Sequence, residues 1–267
     1  MSNSQSLGTA LVTGASTGIG AVYADRLARR GHDLILVARN AGRLAELAAR
    51  LERDTGRRVR TLAADLNVPA QLQAVEEVLR TDPSITLLVN NAGVGSSIPL
   101  LQADVDKMDA MIALNVGALT RLTYAAAPGF VARGRGAIVN IASIAALAPD
   151  LLNGVYGATK AYVLALTQSL QHELAPKGVR VQAVVPGATA TDFWDIAGMP
   201  VTHLPTEWVM TSSDLVDAAL AGLDAGEVIT IPSLPDAADW QAVESALQAL
   251  RPNLSRTRPA PRYGVAG

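Results

Sequence analysis

A chain of 267 residues with 49% hydrophobic and 17% charged residues can bury a large core, which excludes disorder as its default state. A formal net charge of −2 leaves no basic footprint for a polyanion, so no nucleic-acid partner is expected. The count of Cys 0 excludes a disulfide framework, a thiol nucleophile and cysteine metal ligation, and it fits a reducing, cytoplasmic setting. His32, His172 and His203 stand far apart in the sequence without ligand spacing, so no metal is expected. Residues 1–8 are polar and lack a basic stretch leading into an apolar one, so no export signal is read there. Apolar runs such as 85–89 fall far below the ~20 residues of a membrane span, which predicts a soluble chain with no membrane partner.

Along the chain, short β-like runs alternate with longer amphipathic stretches. A strand over 10–13 is followed by a helix over 21–30, a strand over 33–38 by a helix over 43–53, and a strand over 59–63 by a helix over 71–80. Strands over 87–90, 137–141, 180–185 and 228–231 continue the pattern, with a helix over 108–132 and another around Tyr156. That rhythm requires parallel strands joined by right-handed helical crossovers: an α/β, Rossmann-type doubly wound sheet of about seven strands, flanked by helices on both faces. The run Leu34-Ile35-Leu36-Val37 agrees, because a strand covered on both faces is apolar at successive positions. No composition shift divides the chain, so one domain is expected over 1–250.

Two stretches break the rhythm. The connection over about 187–213 is long, rich in bulky apolar groups and punctuated by Pro200 and Pro205, which predicts a lid. An ordinary packed excursion has the same composition. Its residues Trp194, Met199, Trp208 and Met210 are read as an apolar pocket wall. Over 251–267, Pro252, Pro259 and Pro261 interrupt any helix while Arg256, Arg258 and Arg262 lack acidic neighbours, which predicts a tail, mobile or docked on a partner.

Two motifs carry chemistry. Thr13-Gly14-Ala15-Ser16-Thr17-Gly18-Ile19-Gly20 stands between the first strand and the first helix, where a glycine-rich turn lets backbone N–H groups and a helix N-terminus face a phosphate. A dinucleotide is the natural guest, since a turn without a ligand needs fewer glycines. In Tyr156-Gly157-Ala158-Thr159-Lys160, a phenol and an ammonium four residues apart share one helix face. A nearby positive charge favours the phenolate, which predicts a lowered Tyr156 pKa and a proton donor or acceptor usable near neutrality. Tyrosine and lysine at this spacing also form plain solvated faces, so the pair gains force only beside the glycine turn.

Taken in order, these stretches resemble the short-chain dehydrogenase/reductase family from about Leu7 to Ile231. The glycine loop, Asp65-Leu66, Asn90-Asn91-Ala92-Gly93, Asn115 with Val116 and Gly117, Ser143, Tyr156, Lys160, and Pro186-Gly187 with Thr191 follow one another in the family's sequence. The resemblance implies catalytic positions at Asn115, Ser143, Tyr156 and Lys160. It implies cofactor contacts at Gly14, Ser16, Thr17, Gly18, Ile19, Gly20, Arg39, Asp65, Leu66, Asn91, Ala92, Gly93, Tyr156, Lys160, Pro186, Gly187, Thr189 and Thr191. Plainer readings stand beside it: Asp65 as a helix cap before Pro69, Asn115 as a satisfied helix amide, Ser143 as a strand-end cap. Thr189 replaces an aliphatic residue common in the family's Pro-Gly segment.

Family resemblance also implies that Tyr156 protonates a carbonyl oxygen, Ser143 hydrogen-bonds that oxygen, Lys160 lowers the phenol pKa and holds the nicotinamide ribose, Asn115 supports a water relay, and Thr191 fixes the carboxamide. At the end of the second strand Ala38 stands where an acidic residue would bond the ribose hydroxyls, and Arg39 follows, so NADP is expected over NAD, with Ser16, Thr17 and Arg43 as helpers. The expected reaction interconverts a lipophilic ketone or aldehyde and its alcohol. A non-catalytic NADP-binding sensor on the same fold is the rival reading, told apart by nucleotide binding without turnover. The resemblance further implies a homodimer or homotetramer built through the helices that hold Asn115 and Tyr156.

Overall fold

Seven strands, β1 (Thr9–Thr13), β2 (Asp33–Ala38), β3 (Val59–Ala63), β4 (Ile85–Asn90), β5 (Gly136–Ile141), β6 (Val179–Val184) and β7 (Ile229–Thr230), form the sheet of the computed structural model, which describes residues 7–265. They pair in parallel in the order β3-β2-β1-β4-β5-β6-β7. Each strand read from the sequence is present. Residue period explains why β2 is apolar from Leu34 onward: Leu34 and Leu36 enter one core, while Ile35 and Val37 enter the other. β3 lies at the sheet edge, and its residues are intermediate or exposed.

One core is closed by α1 (Gly18–Arg29), α2 (Ala41–Thr55) and α8 (Ser212–Ala225), through residues such as Tyr23, Leu27, Leu44, Leu51, Val216 and Leu220. The opposite core is closed by α3 (Pro69–Thr81), α5 (Leu119–Ala132) and α6 (Gly154–Leu174), through Val75, Leu79, Leu122, Phe130, Leu170 and Leu174. The predicted helix over 108–132 is α4 (Val105–Ile112) and α5 joined by a π-helical stretch, Ala113–Ala118. By length and mean hydropathy of 1.2, Val105–Ala132 would suffice to cross a bilayer. In the fold, Met111, Asn115, Ala118, Leu122, Ala125 and Phe130 are instead buried within the protein.

The sequence reading named no helix beyond α6, and the structure adds the short α7 (Phe193–Ala197), α8, and α9 (Ala237–Leu250). α8 has the start signal of a helix: Thr211 accepts from Asp214 N at 3.0 Å and donates to that residue's carboxylate at 2.7 Å. The chain groups into two compact units, Met1–Pro232 and Ser233–Gly267. The second unit begins ahead of α9, where the sequence reading drew its line at 250. Within it, Asp236 caps α9 by accepting from Ala238 N at 2.8 Å, and two 3₁₀ turns, Arg251–Asn253 and Pro261–Tyr263, each start at or beside a proline.

Candidate active site

Parallel strands deliver their C-terminal ends to one edge of the sheet, and nearly every predicted site residue follows such an end. The glycine loop follows β1, Arg39 follows β2, Asp65 follows β3, Asn91 to Gly93 follow β4, Ser143 follows β5, and Pro186 to Thr191 follow β6. Between β1 and β4 the strand order reverses direction, which is where open α/β sheets bind ligands.

The loop after β1 is a cradle held open by backbone geometry. Gly14 and Gly18 have φ of 64° and 53°, left-handed values that side chains resist. Thr17 precedes α1 without a side-chain cap, so it leaves the first-turn N–H groups uncovered, as phosphate binding requires. A Cβ on Gly20 would lie 2.3 Å from Gly14 O and 2.5 Å from Asn91 Nδ2. Gly20→Ala is therefore expected to force the loop away from α1, at about 1–3 kcal/mol of stability and with loss of dinucleotide affinity. Calorimetry and a nucleotide titration check it; a wild-type melting temperature with wild-type affinity would contradict the packing argument.

Asn91, at the predicted cofactor edge, is held by the end of β1. Its Nδ2 donates to Thr13 O at 2.9 Å and Gly14 O at 3.2 Å, while Thr13 Oγ1 accepts from Asn91 N and Ala92 N, each at 3.0 Å. The amide is a strut that fixes the glycine loop to the end of β4. Leu66 likewise commits its side chain to the core. Asp65 accepts from Asn67 N at 2.9 Å, a local turn bond, while Val68 is the residue that caps α3. Gly93 is exposed, and Ser16, Thr17 and Ile19 are part-exposed on the loop.

Tyr156 and Lys160 lie in the first turns of α6, whose start is set by Asn153: Oδ1 accepts from Val155 N at 2.9 Å, and Nδ2 donates to Ile98 O at 2.6 Å. Both groups are buried, at 5% and 6% exposure. Lys160 Nζ donates to the Ile141 carbonyl at 2.8 Å and stands 5.8 Å from the centre of the Tyr156 ring. Burial pushes the Tyr156 phenol up to about 12, against a hydrogen bond with Ser143 that pulls it back. Burial also brings the Lys160 ammonium down to about 8. The expected lowering of the phenol by Lys160 does not show in the protein without its cofactor, where burial is the largest cause for both groups. At neutral pH Tyr156 is a neutral proton donor and Lys160 is largely charged.

Ser143 is 8% exposed, and its side chain also accepts from Ala145 N at 3.2 Å. Asn115 sits in the π-helical stretch with both amide N–H groups used: Oδ1 accepts from Val94 N at 3.0 Å, and Nδ2 donates to Val94 O at 2.9 Å and Thr159 Oγ1 at 3.1 Å. The side chain therefore joins α6 to the turn after β4. Deeper still, Asn90 Nδ2 donates to Thr123 Oγ1 at 3.0 Å and Asn140 Oδ1 at 2.9 Å, and Asn140 Nδ2 donates to Thr167 Oγ1 at 2.9 Å. This buried ladder ties α5 and α6 to the ends of β4 and β5 beneath the site.

None of Trp194, Met199, Trp208 and Met210, read from the sequence as a pocket wall, belongs to the apolar cluster around Tyr156. Trp194 is buried, and its Nε1 donates to Thr189 O at 2.9 Å, which anchors the segment. Trp208 is 66% exposed and Met210 packs against the α1 and α8 core, so neither lines a wall over Tyr156. The wall consists of Phe193, Val94, Leu152, Met108, Met111 and Ala145 around Tyr156. Pro186 O accepts from Ile144 N at 2.9 Å, placing Pro186-Gly187 beside Ser143. The methyl of Thr191 lies 3.0 Å from where a Gly18 Cβ would be, so this segment reaches the glycine loop. Sequence reasoning missed Thr13, Thr159 and the Ile141 carbonyl, whose roles come from contacts distant in sequence; Phe193 it noted only as bulk in the lid.

The model of the short chain dehydrogenase family matches residues 8–198, and the chain belongs to that family of oxidoreductases. Its fold is similar to a short-chain dehydrogenase from Sphingobium yanoikuyae in complex with NADPH, with 52% identity, a TM-score of 0.93, and coverage of 96% of this chain and 100% of that one. It is similar to the bulky-bulky ketone specific alcohol dehydrogenase from Comamonas testosteroni, with 45% identity, a TM-score of 0.89, and coverage of 97% and 99%. A very-long-chain 3-oxoacyl-CoA reductase from Macaca fascicularis is 31% identical over 83% of this chain and 72% of that protein.

Proposed function

We propose that the protein reduces lipophilic ketones, or oxidises the corresponding alcohols, with NADP(H), and that Tyr156 is the general acid and base. The observation that carries this reading is a buried, neutral phenol inside an apolar wall, with Ser143 pulling against its burial-raised pKa and a glycine cradle suited to a dinucleotide at the same edge of the sheet. The likeness to a bulky-bulky ketone specific enzyme supports a ketone with large groups on both sides. When bound, the nicotinamide supplies the hydride in the reducing direction and accepts it in the other.

This chain's own residues do the rest. Gly14, Gly18 and Gly20 would admit a pyrophosphate to the α1 N-terminus, and Thr189 and Thr191, on the segment that reaches the glycine loop, would hold the nicotinamide end. Ser143 and Tyr156 hydrogen-bond the carbonyl oxygen, and the Tyr156 O–H proton passes to it as negative charge develops. Lys160, fixed by the Ile141 carbonyl, holds positive charge next to the phenol, which favours the phenolate left behind. Asn115 is a positioning residue that sets the α6 face through Thr159. Water is kept from the oxygen by the apolar wall.

NADP preference rests on the absence of an acidic residue at Ala38 and on Arg39, which is exposed just past β2. Arg43 lies near enough to help, though its guanidinium also meets Asp192 at 3.6 Å. Arg39→Ala is expected to weaken NADPH binding by about 10-fold with little change for NADH. Fluorescence titrations with both nucleotides read the difference, and equal losses for the two would remove Arg39 from the phosphate site. Nicotinamide absorbance across a panel of ketones and alcohols tests the reaction itself; nucleotide binding with no turnover on any of them would favour a sensor. Exposed Ile112, Tyr124 and Tyr162 on α4, α5 and α6 support a homo-oligomer, which sedimentation measures.

A further inference from the structure

The Phe193 ring lies 5.6 Å from the Tyr156 ring at 48°, and 5.6 Å from Trp194, edge to face at 89°. Gly95, buried two residues past the turn after β4, closes the other side: a Cβ there would stand 2.2 Å from Phe193 Cζ and 2.6 Å from Cε2. The ring fills the space that any side chain at 95 would claim. Its surroundings are tied together from three elements. Ser97 N and Oγ both donate to Ala197 O, at 2.9 and 2.8 Å, which joins α7 to the stretch after β4. Asn153, the cap of α6, donates from N to Ser96 O at 3.1 Å and from Nδ2 to Ile98 O.

A carbonyl oxygen that reaches Tyr156 and Ser143 must lay its two substituents along the apolar wall. Phe193 is the wall member that comes from the same segment as Thr189 and Thr191, and its ring is the one that meets the Tyr156 ring. We propose that Phe193, seated in the slot that Gly95 leaves, is a specificity-determining residue that limits the girth of one ketone substituent. The inference rests on the ketone reading above. A contact of one or two methylenes in such a wall shifts selectivity by about 10- to 200-fold, enough to decide between a methyl and an aryl group.

The test compares kcat/KM for benzophenone and acetophenone with NADPH in wild type, Phe193→Ala, Phe193→Leu, Gly95→Ala and the Gly95→Ala/Phe193→Ala pair. Phe193→Ala is expected to raise the benzophenone-to-acetophenone ratio by about 10-fold or more, and Phe193→Leu by less. Gly95→Ala displaces the ring from its slot and changes the ratio; without the ring, the same change has no such effect. NADPH affinity stays at the wild-type value throughout. An unchanged ratio in Phe193→Ala, or in Phe193→Leu should the first variant not fold, overturns the inference while leaving ketone reduction standing. A wild type that turns over neither ketone nor any other carbonyl defeats the underlying reading instead.

Discussion

Tyr156→Phe is expected to lower kcat by about 10²- to 10⁴-fold while NADPH binds as before. The substitution removes one hydroxyl and keeps the ring, so the contacts with Phe193, Met111 and Ala145 survive and the fold holds. What disappears is the proton that must reach the carbonyl oxygen. With the phenol pushed up to about 12, the group is protonated across the neutral range and stands ready as an acid. Reduction at the wild-type rate in the phenylalanine variant, read by nicotinamide absorbance, would show that the proton comes from elsewhere.

The second large effect concerns Lys160, a buried ammonium that donates to the Ile141 carbonyl. Its folded value of about 8 lies below the ordinary 10.5, so between those two values the unfolded chain binds the extra proton. Stability supplied by this group therefore rises with pH across that window, and below about pH 8 the buried charge is a full cost. Lys160→Met removes both the cost and the slope. Compared with the methionine variant, wild type is expected to gain about 2 kcal/mol between pH 7 and pH 10 in denaturant unfolding without nucleotide. Parallel stability curves for the two proteins would mean that Lys160 titrates normally. On the proposed mechanism the same variant is expected to lose turnover as well, because the charge that favours the phenolate is gone.

Much of this was readable in the chain because it depends on local pattern. The seven strands follow from apolar runs, and their parallel order follows from helical crossovers, since both express backbone geometry that neighbouring residues impose. Gly14, Gly18 and Gly20 were legible for the same reason. α8 was not, although Leu215, Val216, Ala219 and Leu220 have helical spacing, because it follows a proline-broken connection that reads as one long loop.

Within the site, spacing alone set Tyr156 and Lys160 on one helix face, but their electrostatics came out opposite in sign for the phenol. A sequence carries no measure of burial at a given atom, and burial dominates both titrations. Asn91 shows the same limit: its residue type fits a ligand contact, and only the nearness of β1 to β4 reveals that its donors are spent on Thr13 and Gly14.

By itself the sequence determined the layered α/β fold, the dinucleotide cradle and the identity of the phenol, amine and hydroxyl, because each follows from residue type at short range. Tertiary structure alone decided which lid residue meets Tyr156, which polar groups are struts, and which way the pKa values move. Those depend on distances between segments far apart in the chain, such as Gly95 and Phe193, and on how completely water is removed from between them.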